Sequence, residues 1–189
     1  MRTTIVSLLC ATVLFTGSAA EPARHSPAFS ILRIGTAPLQ LSQYRGKVVA
    51  LAFIYTTCPH CQHLTAILNS VAKDYSARGV QVLECAFNED AVPTMPDFLK
   101  KAEPQFPVGY APRASVLSYL QYPAADTRLL YVPHLVFVDR AGAIRGDYPG
   151  EGSFFEDPEA NIRKELDRML KGSGATVRHS ADRDSPVRH

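Results

Sequence analysis

Cys58 and Cys61, in the stretch Tyr55-Thr56-Thr57-Cys58-Pro59-His60-Cys61, are the residues of this chain whose type and spacing best suit chemistry. They follow an apolar run, Val48 to Tyr55, and precede a segment whose apolar residues recur at helical spacing, which puts the first cysteine at a helix mouth. Backbone N–H groups there lack intrahelical partners, and with the helix dipole they favour a thiolate over a thiol at Cys58. Pro59 suits the first helical position, where its missing N–H would have had no acceptor. His60 adds a cation or a hydrogen-bond donor beside the same sulfur. A thiolate with a second thiol in reach can attack a disulfide and then be displaced by its neighbour, which is dithiol–disulfide exchange. The competing reading, half of a zinc site, needs a second CxxC or a paired-histidine spacing, and the sequence has neither.

The elements that must position the two thiols are legible around them. Val48 to Tyr55 is almost continuously apolar, as expected for a parallel strand covered on both faces. Leu64, Ile67, Leu68, Val71 and Tyr75 form one helical stripe that Gly79 stops, and Val80 to Phe87 reads as the next strand, completing a βαβ unit. On that strand Cys85 alternates with Leu83 and Phe87, which reads as a buried, inert thiol. Glu84 points to the opposite face: buried, it would serve as a proton relay; at the strand end or in solvent it would have no special role. Upstream, Phe29 to Leu41 alternates around Gly35 and Pro38 as a hairpin at the sheet edge, and Tyr44 to Lys47 turns into the central strand. Downstream, prolines interrupt Asn88 to Pro123, leaving two short helical stretches, one near Met95 to Ala102 capped by Thr94 and one near Ala114 to Gln121. Leu135 to Asp139, the turn Arg140 to Gly142 and Ala143 to Tyr148 read as a terminal hairpin. Asp157-Pro158-Glu159 opens a last helix with the stripe Ile162, Leu166, Met169 and Leu170.

The ends of the chain carry different signals. Met1-Arg2-Thr3, the apolar run Ile5 to Phe15 and Gly17-Ser18-Ala19-Ala20 read as a secretory signal, residues 1–20, with cleavage before Glu21. The run is too short to span a bilayer, and no other stretch is long and apolar enough, so no stable membrane insertion is expected once the signal is removed. A lipoprotein reading through Cys10 conflicts with the apolar core continuing past it to Phe15. Residues 21–28 read as a flexible lead and residues 172–189, polar and without period, as a disordered tail. With 189 residues, 46% hydrophobic and 20% charged, the chain suffices for one core, and its formal charge of +2 gives no basis for nucleic-acid binding. Removal of the signal leaves Cys58, Cys61 and Cys85, an odd number that argues for one redox pair and a spare.

The apolar strand ending at Thr57, the Cys58-Pro59-His60-Cys61 motif and Val132-Pro133 before an apolar strand resemble the thioredoxin-fold thiol–disulfide oxidoreductases. Within them, Phe29-Ser-Ile-Leu-Arg-Ile and Leu39-Gln-Leu-Ser-Gln-Tyr-Arg-Gly-Lys47 are similar to the lead-in of exported TlpA/ResA-type redoxins. The resemblance implies an α/β, thioredoxin-like three-layer sandwich over residues 29–171, with a central mixed β-sheet, helices on both faces and an N-terminal β-hairpin extension. It implies that Cys58 and Cys61 form the redox disulfide, and that Pro133 is a cis-proline facing them and the third catalytic position. A client chain would pair with Val132 while its sulfur meets Cys58. Thr57 and Tyr55 either line that approach or simply pack. His134 either reaches the Cys58 thiolate or a bound metal, or faces solvent; His63 reads as a solvated helix residue. One departure stands out: the central-strand position where thioredoxins carry a buried acid is Ala52 here.

No cofactor is implied. The implied partners are protein thiol and disulfide clients and a membrane electron donor, with the protein acting outside the cytoplasm as a reductant. The dipeptide Pro59-His60 is similar to that of the DsbA oxidases and pulls toward an oxidant. A different class is the Sco-like copper carrier, whose motif resembles Thr56-Thr57-Cys58-Pro59 and which would add His134 as a ligand; its cysteines have three residues between them, whereas these have two. A docking adaptor without turnover is the third reading, and the intact Cys58, Cys61 and Pro133 speak against it.

Overall fold

The computed structural model describes residues 24–122 and 130–172. The signal-like segment with Cys10, the first residues of the lead, Pro123 and the tail from residue 173 lie outside the described residues.

The centre of the fold is β4 (Val48–Ile54), seven residues long and buried throughout. Alternation sends Val48, Ala50, Ala52 and Ile54 to one face and Val49, Leu51 and Phe53 to the other, and each set joins a separate apolar cluster. This is why the run is continuously apolar: a strand with water on one side would alternate. Around it stand β1 (Arg24–His25), β2 (Ser30–Arg33), β3 (Thr36–Gln40), β5 (Val80–Ala86), β6 (Val108–Tyr110), β7 (His134–Val138) and β8 (Ala143–Tyr148), in the sheet order β1-β8-β7-β4-β5-β6-β2-β3. The pairs β4–β5 and β5–β6 are parallel, whereas β4–β7, β7–β8 and β2–β6 are antiparallel, so the sheet is mixed.

Helices cover both faces. α1 (Pro59–Tyr75), α2 (Ala91–Ala102) and α4 (Pro158–Gly172) pack on the first through Leu64, Leu68, Val71, Met95, Phe98, Ile162 and Leu166. α3 (Arg113–Tyr119) closes the second through Val116 and Tyr119, with Phe29 and Ile31 beside it. Full burial of each large apolar side chain contributes roughly 1.5–3 kcal/mol, and this is what fixes α1 over β4 and β5. The hairpin β2–β3 lies at the sheet edge and turns at Gly35, whose φ of 71° is left-handed.

Four details differ from the sequence reading. Arg24–His25, inside the stretch read as a flexible lead, pairs antiparallel with Ile144 and Ala143 of β8 as a short strand. α2 begins at Ala91, four residues before Met95, so Thr94 lies within the helix; its backbone N–H bonds to the Asp90 carbonyl at 3.1 Å. Pro93 falls in the first helical turn, where a missing N–H has no cost, which is how the helix begins ahead of it. β6 is a strand between prolines that the pattern did not reveal. α3 starts at Arg113 and ends at Tyr119, short of Gln121.

Candidate active site

β4 ends at Ile54, and the chain turns through Tyr55-Thr56-Thr57 into α1. Cys58 is the residue before the first turn of that helix, extended at φ −79° and ψ 121°, and Pro59 takes the first helical position. The Cys58 N–H is held by the Tyr55 carbonyl at 3.1 Å, and the Cys61 N–H donates to Cys58 Sγ at 3.4 Å. The first sulfur therefore occupies the seat of a side-chain cap and accepts one of the helix's orphan donors.

The two thiols have opposite surroundings. Cys58 is half-buried and Cys61 wholly buried; both are free, as is Cys85. Burial pushes the Cys61 thiol well up, against a hydrogen bond from the Tyr55 backbone that lowers it; Cys58 and Glu84 add to the rise. One cysteine can be reached from solvent while the other is held as a thiol in the core. Cys85 is buried on the opposite face of β5 and its thiol is pushed up by burial alone, as an inert core thiol would be.

The turn before Cys58 is pinned by residues that sequence reading did not single out. Thr56 is 2% exposed. Its N–H donates to Asn88 Oδ1 at 3.1 Å, Asn88 Nδ2 donates to Thr56 Oγ1 at 2.8 Å, and Thr56 Oγ1 lies 2.7 Å from Thr94 Oγ1. The Gln62 amide closes the turn from below through the Thr56 carbonyl at 3.0 Å. Thr57 is exposed, next to Cys58. Tyr55 packs on Phe87 and accepts from Arg113 at 2.8 Å, on the face away from the dithiol.

The Val132–Pro133 peptide bond is cis. Val132 and Cys58 pack against the same apolar cluster. A pocket of about 230 Å³ opens between His60, His63 and Leu64 of α1 and Val132, Pro133 and Phe155 across from them. The wall opposite α1 is set by Gly150: a Cβ there would sit 2.8 Å from the Pro133 carbonyl oxygen and 3.0 Å from the Val132 carbonyl carbon. Only glycine lets the loop after β8 come so close. A larger cleft of about 560 Å³, lined in part by Lys47, Lys73 and Phe106, lies along the far half of α1, away from the thiols.

His134 is not where either sequence reading put it. It is 1% exposed, and since Leu135 and Phe137 face the α1 side, alternation turns His134 to the other. There it lies against Phe53 and Tyr122, with Nε2 2.5 Å from Asp147 Oδ1, and Arg24 binds the other oxygen of that carboxylate at 2.6 Å. It neither faces solvent nor reaches Cys58, because the residue after Pro133 already belongs to β7. The three ligands of a copper site, Cys58, Cys61 and His134, are thus on two faces of the sheet, and among the described residues no group of three or more His, Cys, Asp or Glu is placed to hold a metal ion.

Glu84 is wholly buried on the same face as Cys61, directly across from Ala52 in the β4–β5 register. Burial raises its carboxyl to about 8, against a hydrogen bond from Thr65 that lowers it. Thr65, four residues after Cys61 and one helical turn on, is the partner that sequence reading missed; its position on the buried stripe of α1 was the signal.

The Redoxin family profile matches residues 22–164. The chain belongs to the redoxin family. It is 23% identical over 158 residues to the thiol–disulfide oxidoreductase ResA of Bacillus thuringiensis subsp. konkukian, covering 79% of this chain and 87% of that protein. Among solved structures, it is similar to a thiol:disulfide interchange protein of the thioredoxin family from Chlorobium tepidum, at 22% identity and a TM-score of 0.65, covering 80% of this chain and 99% of that one. A thiol:disulfide interchange protein from Bacteroides sp. gives 14% identity, a TM-score of 0.62 and coverage of 85% and 97%. These neighbours show the thioredoxin-like fold of the redoxin chain.

Proposed function

We propose that this redoxin is a thiol–disulfide oxidoreductase that works outside the cytoplasm and reduces disulfides of client proteins. The observation that carries the reading is the asymmetry of the dithiol: Cys58 half-exposed in the cap seat of α1, and Cys61 buried with its N–H on the Cys58 sulfur. Cys58 attacks the client disulfide, forming a mixed disulfide and releasing one client sulfur as thiolate. Cys61 gives up its proton and attacks Cys58 Sγ, closing the Cys58–Cys61 disulfide and releasing the second client sulfur; two electrons pass to the client, and its two sulfurs leave as thiols after protonation. Pro133 and Val132 present backbone for an extended client segment, and the pocket beside them takes a client side chain. Export is supported by the signal-like Met1–Ala20 and by the ResA resemblance, and it calls for an electron donor at the membrane to regenerate the thiols. No helix of the described residues is long and apolar enough to cross a membrane.

The test is insulin-disulfide reduction. Cys58→Ser should abolish turnover, whereas Cys61→Ser should accumulate mixed disulfides that dithiothreitol releases. Turnover that persists unchanged in both variants rejects the reading. A second reading, an oxidant, is favoured by His60, exposed and two residues after Cys58, which as a cation would stabilise the reduced pair. The reduction potential separates the two: a value of about −270 mV marks a reductant and one of about −120 mV an oxidant.

A further inference from the structure

Beneath the dithiol the core holds a carboxyl with no counter-charge. Glu84 is wholly buried, one strand over from Ala52. Its Oε1 lies 2.9 Å from Thr65 Oγ1, the same Oγ1 lies 3.0 Å from the Cys61 carbonyl oxygen, and Oε2 has no partner. A hydroxyl has one proton, and here it faces two acceptors. The Cys61 carbonyl also accepts the Thr65 backbone N–H within α1, so with Glu84 ionised the hydroxyl can turn to Oε1, yet Oε2 stays a bare charged oxygen in the core. With Glu84 protonated, its O–H donates to Thr65 and Thr65 donates on to Cys61, so the chain is continuous. An unpaired buried charge is costly, which favours the second arrangement.

The groups that face Glu84 narrow its partner to the dithiol. From β4 it meets Ala52 and from β6 Val108; α2 and α4 contribute Met95, Phe98, Ile162 and Leu166 to the same core. The titratable side chains of that cluster are Cys61 and Cys58 at the start of α1, Tyr75 at its far end, and the partly buried Tyr110 and Tyr148; of these, Cys61 is the one joined to Glu84 through Thr65. The coupling is seen from the other end as well, since Glu84 helps to raise the Cys61 thiol.

We propose that Glu84 is the proton partner of Cys61, taking the thiol proton as Cys61 attacks the mixed disulfide and returning it when the exchange runs backward. This rests on the oxidoreductase reading above. The forward step starts from the ionised form of Glu84, which gains population as pH rises toward 8: the Cys61 S–H proton passes to that carboxylate, the freed electron pair forms the Cys61–Cys58 bond, and the pair of the Cys58–client bond leaves on the client sulfur. In reverse, the client thiolate attacks Cys58 and protonated Glu84 delivers its proton to the departing Cys61 sulfur. Thr65 is a positioning residue that holds the carboxyl against the redox helix.

The experiment uses an aromatic disulfide, 5,5′-dithiobis(2-nitrobenzoate), on the reduced protein. Attack by Cys58 releases one coloured thiolate, and resolution by Cys61 releases a second, so the two steps appear as two phases. In the wild type the second phase should speed up with pH around 8 and then level off. Glu84→Gln should slow that phase at least tenfold at high pH and erase the midpoint, leaving the first phase alone. Thr65→Val should move the midpoint upward, because the hydrogen bond it removes is the one that lowers the carboxyl. A second phase in Glu84→Gln with unchanged rate and midpoint overturns the proposal; absence of the first phase in the wild type instead overturns the oxidoreductase reading. If Glu84→Gln does not fold, infrared spectroscopy of the wild type decides: a carboxylic C=O band lost between pH 6 and about 10 supports the proposal, and no such band at pH 6 overturns it.

Discussion

Cys58 and Cys61 share one side-chain chemistry and differ only in what surrounds them, so the residues that set those surroundings govern the site. Asn88 is one. It bridges the backbone N–H and the hydroxyl of buried Thr56, two residues before Cys58, and also reaches Asp90 Oδ1 at 2.7 Å. Asn88→Ala leaves the Thr56 N–H buried without a partner, which costs about 1–3 kcal/mol, and loosens the turn that delivers Cys58 to the helix mouth. Urea unfolding should show the loss, and the rate of Cys58 alkylation should change with it; equal stability would mean that Thr94 and water replace the amide. In the sequence Asn88 is one polar residue after a strand, with nothing to connect it to Thr56, 32 positions earlier. The two cysteines and Pro133 are legible because spacing and local context mark them. Thr65 and Asn88 act across strands and helices, and their partners emerge only from the register.

At the level of elements, β4 and α1 were readable because each carries a period: a continuous apolar run, and a stripe whose members Leu64, Leu68, Val71 and Tyr75 are all buried. β6 has only three residues, too few for any period, and its existence depends on Gly109. A Cβ there would collide with the Leu32 carbonyl oxygen and lie 2.7 Å from Ile31 Cγ2, both backbone-fixed or fully packed positions on β2. The sheet's path from β5 out to the edge hairpin thus passes through a glycine chosen for absence of bulk and not for its dihedral angles. Gly109→Ala should destabilise the protein by about 1–3 kcal/mol, as overpacking does, and speed amide exchange across the Leu32–Tyr110 pairing. Insulin reduction should survive, because β4, α1 and the Val132–Pro133 loop lie on the other side of β5. Exchange unchanged at Leu32 and Tyr110 would show that the hairpin is held by something else. α2 was half legible for a related reason: Pro93 and Pro96 look like breaks, yet the first sits where no helical N–H is required.

For the molecule as a whole, the same buried carboxyl ties stability to pH in an unusual direction. A carboxylate held below its ordinary value stabilises the fold by being charged. Asp139 bears a desolvation that would raise it, but the Ala143 N–H and Arg145 hold it below its ordinary value, so its contribution is present above pH 3.8 and lost in acid. Glu84 is the reverse. Its ordinary value is 4.5 and burial raises it to about 8, so between those limits the native state keeps a proton that the unfolded chain has released. Stability from this group is therefore greatest below pH 4.5, falls as pH rises toward 8 and is level beyond. Each tenfold change in proton affinity is about 1.4 kcal/mol, which sets an upper limit on the order of 5 kcal/mol for the whole fall. The buried thiols Cys61 and Cys85 extend the decline above pH 9, where their unfolded counterparts ionise and they do not. Urea unfolding of the reduced protein at pH 5 and pH 8 should thus give a lower free energy at the higher pH by several kcal/mol, whereas Glu84→Gln, neutral throughout, should be nearly flat and should exceed the wild type at pH 8. A wild type equally stable at both pH values would mean that Glu84 ionises inside the fold without cost, and a carboxyl of that kind would have no proton to deliver to the departing Cys61 sulfur in the reverse step.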